Sequence, residues 1–330
     1  SVPFRWRNHP FTDWKVVSVC FRNPDADSYP TDSCIAKWYR SSRWKSITGY
    51  ESCSSGNLLI RYVVHFNYIL ICELVCQERG EITMLIKNLH ADLLKMKGLP
   101  IVLAHILIPA ITSGIFLMYY TFSPWDADIK IIAFYQAVGA GFPVLIGIFT
   151  AVLMEQEYTA GNFQNLLTMP EKTMAFISKL LILILFSLLA VLLTAVIFEI
   201  GFCRISGNHT ISTGTCLLAA FIMWCSSIPL YIWQMILAFR FGKGVSIGAG
   251  IISGLVCALM ITDLGTFVWK YIPASWTSRI PYCYLKFVLG EVAVSKEIKE
   301  ILPVYAIFTL ISVIYYFIWA FRWEESKILE

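Results

Sequence analysis

Long apolar runs alternate with short polar stretches along most of the chain, and this pattern predicts the fold. Each run is close to the roughly 20 apolar residues that a helix needs to cross a hydrocarbon core. A soluble helical core would instead keep a polar face on most of its helices. The pattern predicts six transmembrane helices, at 99–122, 131–154, 174–202, 216–239, 245–264 and 302–321.

A shorter amphipathic stretch precedes the first predicted span. Residues 84–97 place Leu85, Leu89, Leu93 and Met96 along one side of a helix, with lysines on the other sides. Such a segment is typical of a helix that lies in the membrane interface. Residues 84–330 are therefore expected to form one all-α polytopic transmembrane domain, with an N-terminal interfacial helix.

Residues 1–83 differ from everything that follows. They are rich in Trp, Arg, Ser and Cys, and prolines interrupt them. An apolar run at 58–75 approaches spanning length, but its three ionisable residues make insertion into a membrane costly. The run is either a further span or a segment that does not cross the membrane. Because Met84 resembles a natural beginning, our hypothesis is that 1–83 is an upstream translation artefact or a fused fragment.

The basic residues predict the orientation of the domain. They gather at one set of span ends, at Lys87, Lys95, Lys97, Lys172, Lys179, Arg240, Lys243, Arg322 and Lys327. The positive-inside rule makes that side cytoplasmic. Both ends of 84–330 are therefore expected inside the cell.

The segment 263–300 lies on the opposite side and has two interpretations. Its prolines break it into short pieces, and its aromatic residues include Trp269 and Trp276. Trp and Tyr are enriched at membrane interfaces. The segment forms either short helices that dip into the outer membrane boundary, or an ordinary outer loop with interfacial aromatic anchors.

Composition supports a membrane protein and argues against several other classes. Only 15% of the residues are charged, against about 25% in soluble domains. The net charge of +4 is not gathered on one basic face, so no nucleic-acid partner is expected. The 10 cysteines form no CxxC pair, so neither a metal nor a redox cofactor is expected.

The sequence contains no recognisable catalytic set. Gly242-Lys243-Gly244 lacks the flanking residues of a Walker A loop, and no HExxH occurs. Energy must therefore come from a partner subunit or an ion gradient. Ionisable residues inside spans are functional candidates by default. We expect an interhelical hydrogen bond at His105 and simple solvation of Glu199 at the outer interface.

Four glycines of the fifth predicted span form two GxxxG patterns. They are Gly244, Gly248, Gly250 and Gly254. Small residues let transmembrane helices approach closely. These glycines are expected to pack helices together, either within the bundle or between subunits.

The polar segment 155–179, which we call the link, joins the second and third predicted spans. It reads EQEYTAGNFQNLLTMPEKTMAFISK. Phe163, Leu166 and Leu167 stand at i, i+3 and i+4, which predicts a short helix with one apolar face. An exposed apolar face of this kind suits a groove on a soluble partner. Pro170 would end the helix.

Two acidic residues open the link. Glu155 and Glu157 are two positions apart, so their carboxylates do not face each other on a helix and a shared-proton pair is not expected. We expect a structural role, with the carboxylates near the start of the next helix favoured by its dipole.

The link resembles the ABC-2 permease signature, in which a Glu-x-Glu pair ends the second span and Gly, Leu-Leu, Pro and Lys follow. The matching residues are Glu155, Glu157, Gly161, Leu166, Leu167, Pro170 and Lys179. In that family the link is a cytoplasmic coupling helix that docks on the ATPase subunit. The resemblance therefore implies an ATPase-coupling role for these residues and for Phe163 beside them.

The runs 93–125 and 142–172 are similar to the lantibiotic-immunity permeases of Gram-positive bacteria, of the MutE and MutG type. The resemblance covers 84–330. It implies a permease subunit in the bacterial cell membrane that works with a second permease and an ABC ATPase. Such a transporter expels a lantibiotic, or a similar amphipathic peptide, from the producer's membrane. The alternatives are an ABC-2 exporter of a drug or glycolipid, and an intramembrane enzyme.

Overall fold

The structure, a computed structural model, describes residues 84–96, 100–169, 172–206 and 211–323. All of these belong to one compact unit, Glu73–Glu330. The hypotheses on 1–83, including the possible span at 58–75, lie outside the described residues and stay predictions. The same holds for Pro170.

Within these ranges the chain is helical and contains no β-strand. The first helix, α1, covers 84–96. The long helices are α2 (Pro100–Phe122), α3 (Ala127–Thr159), α5 (Lys172–Ser206), α6 (Thr213–Phe241), α7 (Lys243–Ile261) and α9 (Ala293–Arg322). The shorter elements are α4 (Gln164–Leu167), α8 (Pro273–Val288) and two 3₁₀ turns (Asp263–Gly265, Trp269–Tyr271).

Six of the described helices are long and apolar enough to cross a membrane, and they are the six that the hydrophobic pattern predicts. The prediction of an all-α polytopic membrane protein is therefore confirmed. Several helices extend past the predicted ends, because polar residues beyond the hydrocarbon core still satisfy their backbone groups best as helix. The last one begins at Ala293 rather than near 302.

Helix α3 lies at the centre of the bundle. It packs closely against α7 and α8, and also against α6, whereas α2 packs along α5 and contacts α3 much less. A group of aromatic rings joins α3 to α5, with Phe134 stacked on Phe198 at 3.7 Å between ring centroids. Inside a bilayer the contacts that hold such helices together are mainly dispersion contacts. The close packing around α3 is thus a principal source of cohesion.

The segment after α7 forms short helices, as one of the two interpretations predicted. Helix α8 enters the bundle. Its Thr277 hydroxyl donates to the Gly139 carbonyl of α3 at 2.8 Å, and Gly139 lies about 18 Å along α3 from the first residue of that helix. Trp269 and Trp276 are 0% exposed. Their predicted role as interfacial anchors is therefore wrong, because both rings are buried within the protein.

A single arginine fixes the turn from α7 towards α8. The Arg279 guanidinium donates to the carbonyls of Met260, Ile261 and Thr262 at 2.6, 3.2 and 3.1 Å. The last carbonyls of a helix have no partner within the helix. Arg279 supplies these partners and so ties α8 to the end of α7.

Candidate functional site

The link bends sharply where α3 ends. After Thr159 the chain turns through three residues with positive φ, namely Gly161 at 145°, Asn162 at 53° and Phe163 at 61°. Glycine and asparagine adopt such angles readily, whereas a bulky residue does so only where its surroundings require it. The conformation of Phe163 therefore depends on what its side chain contacts.

The Phe163 ring is buried in an aromatic cluster and is 3% exposed. Its centroid lies 5.8 Å from that of Phe239 at the end of α6, and 5.6 Å from that of Trp323 just after α9. Leu166 is also buried, at 1% exposed. The predicted exposed apolar face is therefore wrong for Phe163 and Leu166. Helical spacing shows which side chains share a face, but not whether that face meets the core or a partner.

The outward surface of the link is small and polar. Residues 159–162 are exposed, and so is Gln164. We call these five residues the link tip. Among the described residues of the link, a partner can also reach the exposed Thr168 and the half-buried Leu167, whereas Phe163 and Leu166 offer it no open apolar stripe. The coupling role assigned to the link by resemblance stays a prediction.

Glu157 belongs to a buried ion cluster, formed with Asp92, Lys95 and Lys179. Lys179 Nζ lies 2.7 Å from Glu157 Oε1 and 3.0 Å from Asp92 Oδ1, and Lys95 Nζ lies 3.0 Å from Glu157 Oε1. The Ser178 hydroxyl donates to Asp92 Oδ2 at 2.6 Å. The cluster joins α1, α3 and α5, and its two positive and two negative charges balance.

The ion cluster explains why an acidic residue is tolerated at this place. Glu157 lies in the last turn of α3, where the helix dipole disfavours a negative charge. Burial adds a desolvation cost that only paired and hydrogen-bonded charges offset. Lys179 and Lys95 supply this pairing, so the predicted structural role holds, but through ion pairs rather than through the dipole of the next helix.

Glu155 makes a different kind of contact. Its Oε1 lies 2.7 Å from Lys243 Nζ, and the two side chains are 37% and 60% exposed. This pair bridges the last turns of α3 to the first turn of α7. Exposed pairs contribute little to stability, because water screens them.

Asp92 and Lys95 are the functional candidates that sequence reasoning missed. Lys95 was taken only as a residue on the polar side of the interfacial helix and as a marker of orientation. Spacing along one chain does not show which charges meet across three helices. One signal was present: Asp92 is the single acidic residue in the otherwise basic stretch 84–97.

The two GxxxG patterns of α7 have different surroundings. Gly250 and Gly254 are buried against α3, and a Cβ at Gly250 would lie 2.9 Å from the Gly147 Cα. A Cβ at Gly244 or Gly248 would have no neighbour within 4 Å. Gly250 and Gly254 thus pack the bundle internally, and Gly244 and Gly248 do not.

The two ionisable residues inside spans also depart from expectation. His105 Nδ1 donates to the Ile101 carbonyl of its own helix at 2.7 Å, and its ring stacks on Phe149 of α3 at 4.1 Å. The interhelical contact of His105 is therefore a ring stack. Glu199 is 3% exposed and accepts a hydrogen bond from the Thr213 hydroxyl at 3.0 Å, so it is not simply solvated.

Six apolar helices, with a charged link held by a buried ion cluster, define a polytopic α-helical membrane protein with a structured polar connection after its second span. Residues 88–262 match the family model described as ABC-2 family transporter protein. This range is more than half of the chain, and the chain belongs to that family. It is thus a membrane permease subunit of an ABC transporter, which works with an ABC ATPase partner.

The matched range contains the ion cluster, the link and both GxxxG patterns. Comparison with curated proteins gave no significant match, and neither did comparison with solved structures.

Proposed function

We propose that this permease expels a lantibiotic, or a similar amphipathic peptide, from the membrane of the bacterium that produces it. It would act with a second permease subunit and with an ABC ATPase docked on the link. The single observation that supports the docking site is the structure of the link. Of the residues resembling the ABC-2 signature, Gly161 lies in the exposed link tip, whereas Glu157, Leu166 and Lys179 are buried and fix the base of the link to neighbouring helices.

The proposed path of coupling follows the contacts of the link. The ion cluster attaches Glu157 to α1 and α5, and Phe163 contacts the ends of α6 and α9. An ATPase that moved the link tip would therefore act on five helices at once. ATP can shift the bundle only by the difference in its affinity for the two states of the assembly.

The proposed orientation puts the link in the cytoplasm, with both ends of 84–330 on the same side, in the bacterial cell membrane. Arg240 and Arg322 lie at helix ends near the link and are exposed, as the positive-inside rule requires of cytoplasmic charges. The peptide would be taken from the outer leaflet, because its amphipathic character holds it at that surface.

Docking can be tested by changing an exposed residue of the link tip. Gln164→Arg adds bulk and charge at the tip without disturbing the core. We expect it to reduce co-purification of the partner ATPase at least fivefold. The matched control is Thr266→Arg, an exposed residue at the opposite end of the bundle, which should retain the ATPase. Equal recovery with both variants would refute docking at the link.

Substrate class can be tested in a lantibiotic-sensitive Gram-positive host. Co-expression of both permeases and the ATPase should raise the inhibitory concentration of the lantibiotic severalfold. An ATPase variant unable to hydrolyse ATP should remove this effect, and so should Gln164→Arg. Unchanged sensitivity to lantibiotics, together with increased resistance to a drug or altered glycolipid export, would replace the proposal with the alternative ABC-2 substrates.

Orientation can be tested with single cysteines in a background where all 10 native cysteines are replaced by serine. A membrane-impermeant maleimide added to intact cells should label Thr266→Cys and spare Gln164→Cys. The reverse pattern would place the link outside the cell and exclude a cytoplasmic ATPase as its partner.

A further inference from the structure

A cavity of about 420 Å³ lies inside the bundle between α2, α3 and α5. We call it the α2–α3 cleft. Apolar side chains make up most of its wall, among them Ile108, Val138, Leu145 and Val191. Natural protein interiors contain few voids larger than a water molecule. A space of this size is large enough to hold a bound molecule.

The cleft is elongated. It runs along α2 from Ala104 to Phe116 and along α3 from Ala137 to Phe149, which is about 18 Å on each helix. An extended, flexible occupant such as an alkyl chain therefore fits the shape of the cleft.

The wall offers little to a polar ligand. Ser187 and Thr194 donate their hydroxyl hydrogens to the carbonyls of Ile184 and Ala190, each at 2.8 Å. His105 is bonded in the same way within its own helix. A buried water needs about three hydrogen bonds, and dry apolar cavities bind apolar molecules instead. The chemistry of the wall therefore favours hydrocarbon over water.

The cleft opens sideways between α2 and α3. Ala137 and Gly141 line it and are exposed, and a Cβ at Gly141 would have no neighbour within 4 Å. Helix α2 also presents exposed apolar side chains such as Ile111 and Ile115. In a membrane-spanning bundle the medium at this opening is the acyl region of the bilayer.

We propose that the α2–α3 cleft binds one acyl chain of a membrane lipid, which enters laterally past Ala137 and Gly141. The chain would line up with α2 and α3 and restore the dispersion contacts that an empty cavity forfeits. This site lies within one chain and does not depend on the identity of the transported substrate.

The test uses the full-length protein in vesicles that contain a phospholipid with a photoreactive diazirine in one acyl chain. After irradiation, adducts are located by mass spectrometry. We expect adducts on cleft residues such as Ile108 and Val138 to exceed those on the exposed residues Ile252 and Leu255 of α7 at least fivefold. Equal labelling of the two sets would overturn the proposal.

A filled cleft provides the second arm. Gly141→Trp should reduce the cleft adducts at least fivefold, whereas Gly248→Trp, at an equally open position on α7, should leave them unchanged. Undiminished cleft labelling in a folded Gly141→Trp protein would contradict the assignment. If the tryptophan variant does not fold, Gly141→Leu serves the same purpose. The comparison of cleft and α7 adducts in the wild-type protein tests the proposal without any variant.

A third measurement distinguishes a lipid site from a hydrated substrate path. Gly141→Cys should be inaccessible to a small hydrophilic thiol reagent and should react with a membrane-soluble one. Rapid reaction with the hydrophilic reagent would show that water fills the cleft, and the lipid proposal would then be wrong.

Discussion

The two sides of α3 show opposite uses of glycine. On the side towards α7 and α8, a Cβ at Gly139 would lie 2.7 Å from the Ser278 Cα, and one at Gly147 would lie 2.7 Å from the Ser246 carbonyl oxygen. On the side towards α2, a Cβ at Gly141 would meet nothing within 4 Å. Glycine therefore permits backbone contact on one side of the helix and leaves a cleft open on the other.

The contrast reverses at the end of α3 that carries the link. There the side towards α1 and α5 is closed by the buried ion cluster around Glu157, whereas the side towards α7 ends in the exposed pair of Glu155 with Lys243. Around Gly141 the side of α3 towards α7 is tightly packed and the side towards α2 is open. At the link end the side towards α7 is exposed, and the side towards α1 and α5 is buried. Four substitutions test this comparison, each measured as the free energy of unfolding in mixed detergent micelles.

The largest effect is expected for Lys179→Ala. It leaves the carboxylates of Asp92 and Glu157 buried with only the partly exposed Lys95 as partner, and breaking such a buried pair costs about 3–5 kcal/mol. The double variant Lys179→Ala with Glu157→Gln should recover part of this loss, because it removes the one negative charge that Lys95 alone does not balance. A loss below about 1 kcal/mol would show that water reaches the cluster.

The next effect is expected for Gly147→Ala. The added methyl group would meet backbone atoms of α7, at Ser246 and Gly250, which cannot rotate away. Overpacking of this kind costs about 1–3 kcal/mol. A stability equal to that of the wild type would mean that α3 and α7 separate easily. It would contradict the close backbone packing described for this side of α3.

Gly141→Ala is the matched substitution on the open side. Alanine is favoured over glycine inside a helix by about 0.5–1 kcal/mol, and no neighbour opposes the new methyl group. We therefore expect a small gain in stability. A marked loss here would indicate that the cleft is already tightly filled in the free protein.

The smallest effect is expected for Lys243→Ala, which breaks the exposed pair with Glu155. Such pairs contribute about 0.5 kcal/mol. The difference between wild type and variant should vanish at 1 M salt, where screening acts within about 3 Å. A loss as large as that of Lys179→Ala would contradict the distinction between the two carboxylates.

Much of the fold followed from the sequence, because membrane spans are set by length and apolarity, which are local properties of the chain. Near 263–300 the same reasoning misplaced Trp269 and Trp276, since aromatic residues serve equally well at an interface and in a core. Burial there is decided by α8 entering the bundle, which is a non-local event.

The candidate site was predicted only in part. The position of the link followed from its residues, but the direction in which Phe163 points depends on Phe239 and Trp323, which are far away in sequence. The ion cluster was missed for the same reason. Pairing of Asp92 with Lys179 requires knowing that α1 lies beside α5.

The left-handed conformation of Phe163 has a mechanical consequence. A residue in this conformation cannot relax freely while its ring is wedged between Phe239 and Trp323, and Phe176 of α5 packs on the same two rings. The bend of the chain is thereby made stiff. A displacement of the exposed backbone at 159–162 would therefore reach α5, α6 and α9 through these ring contacts.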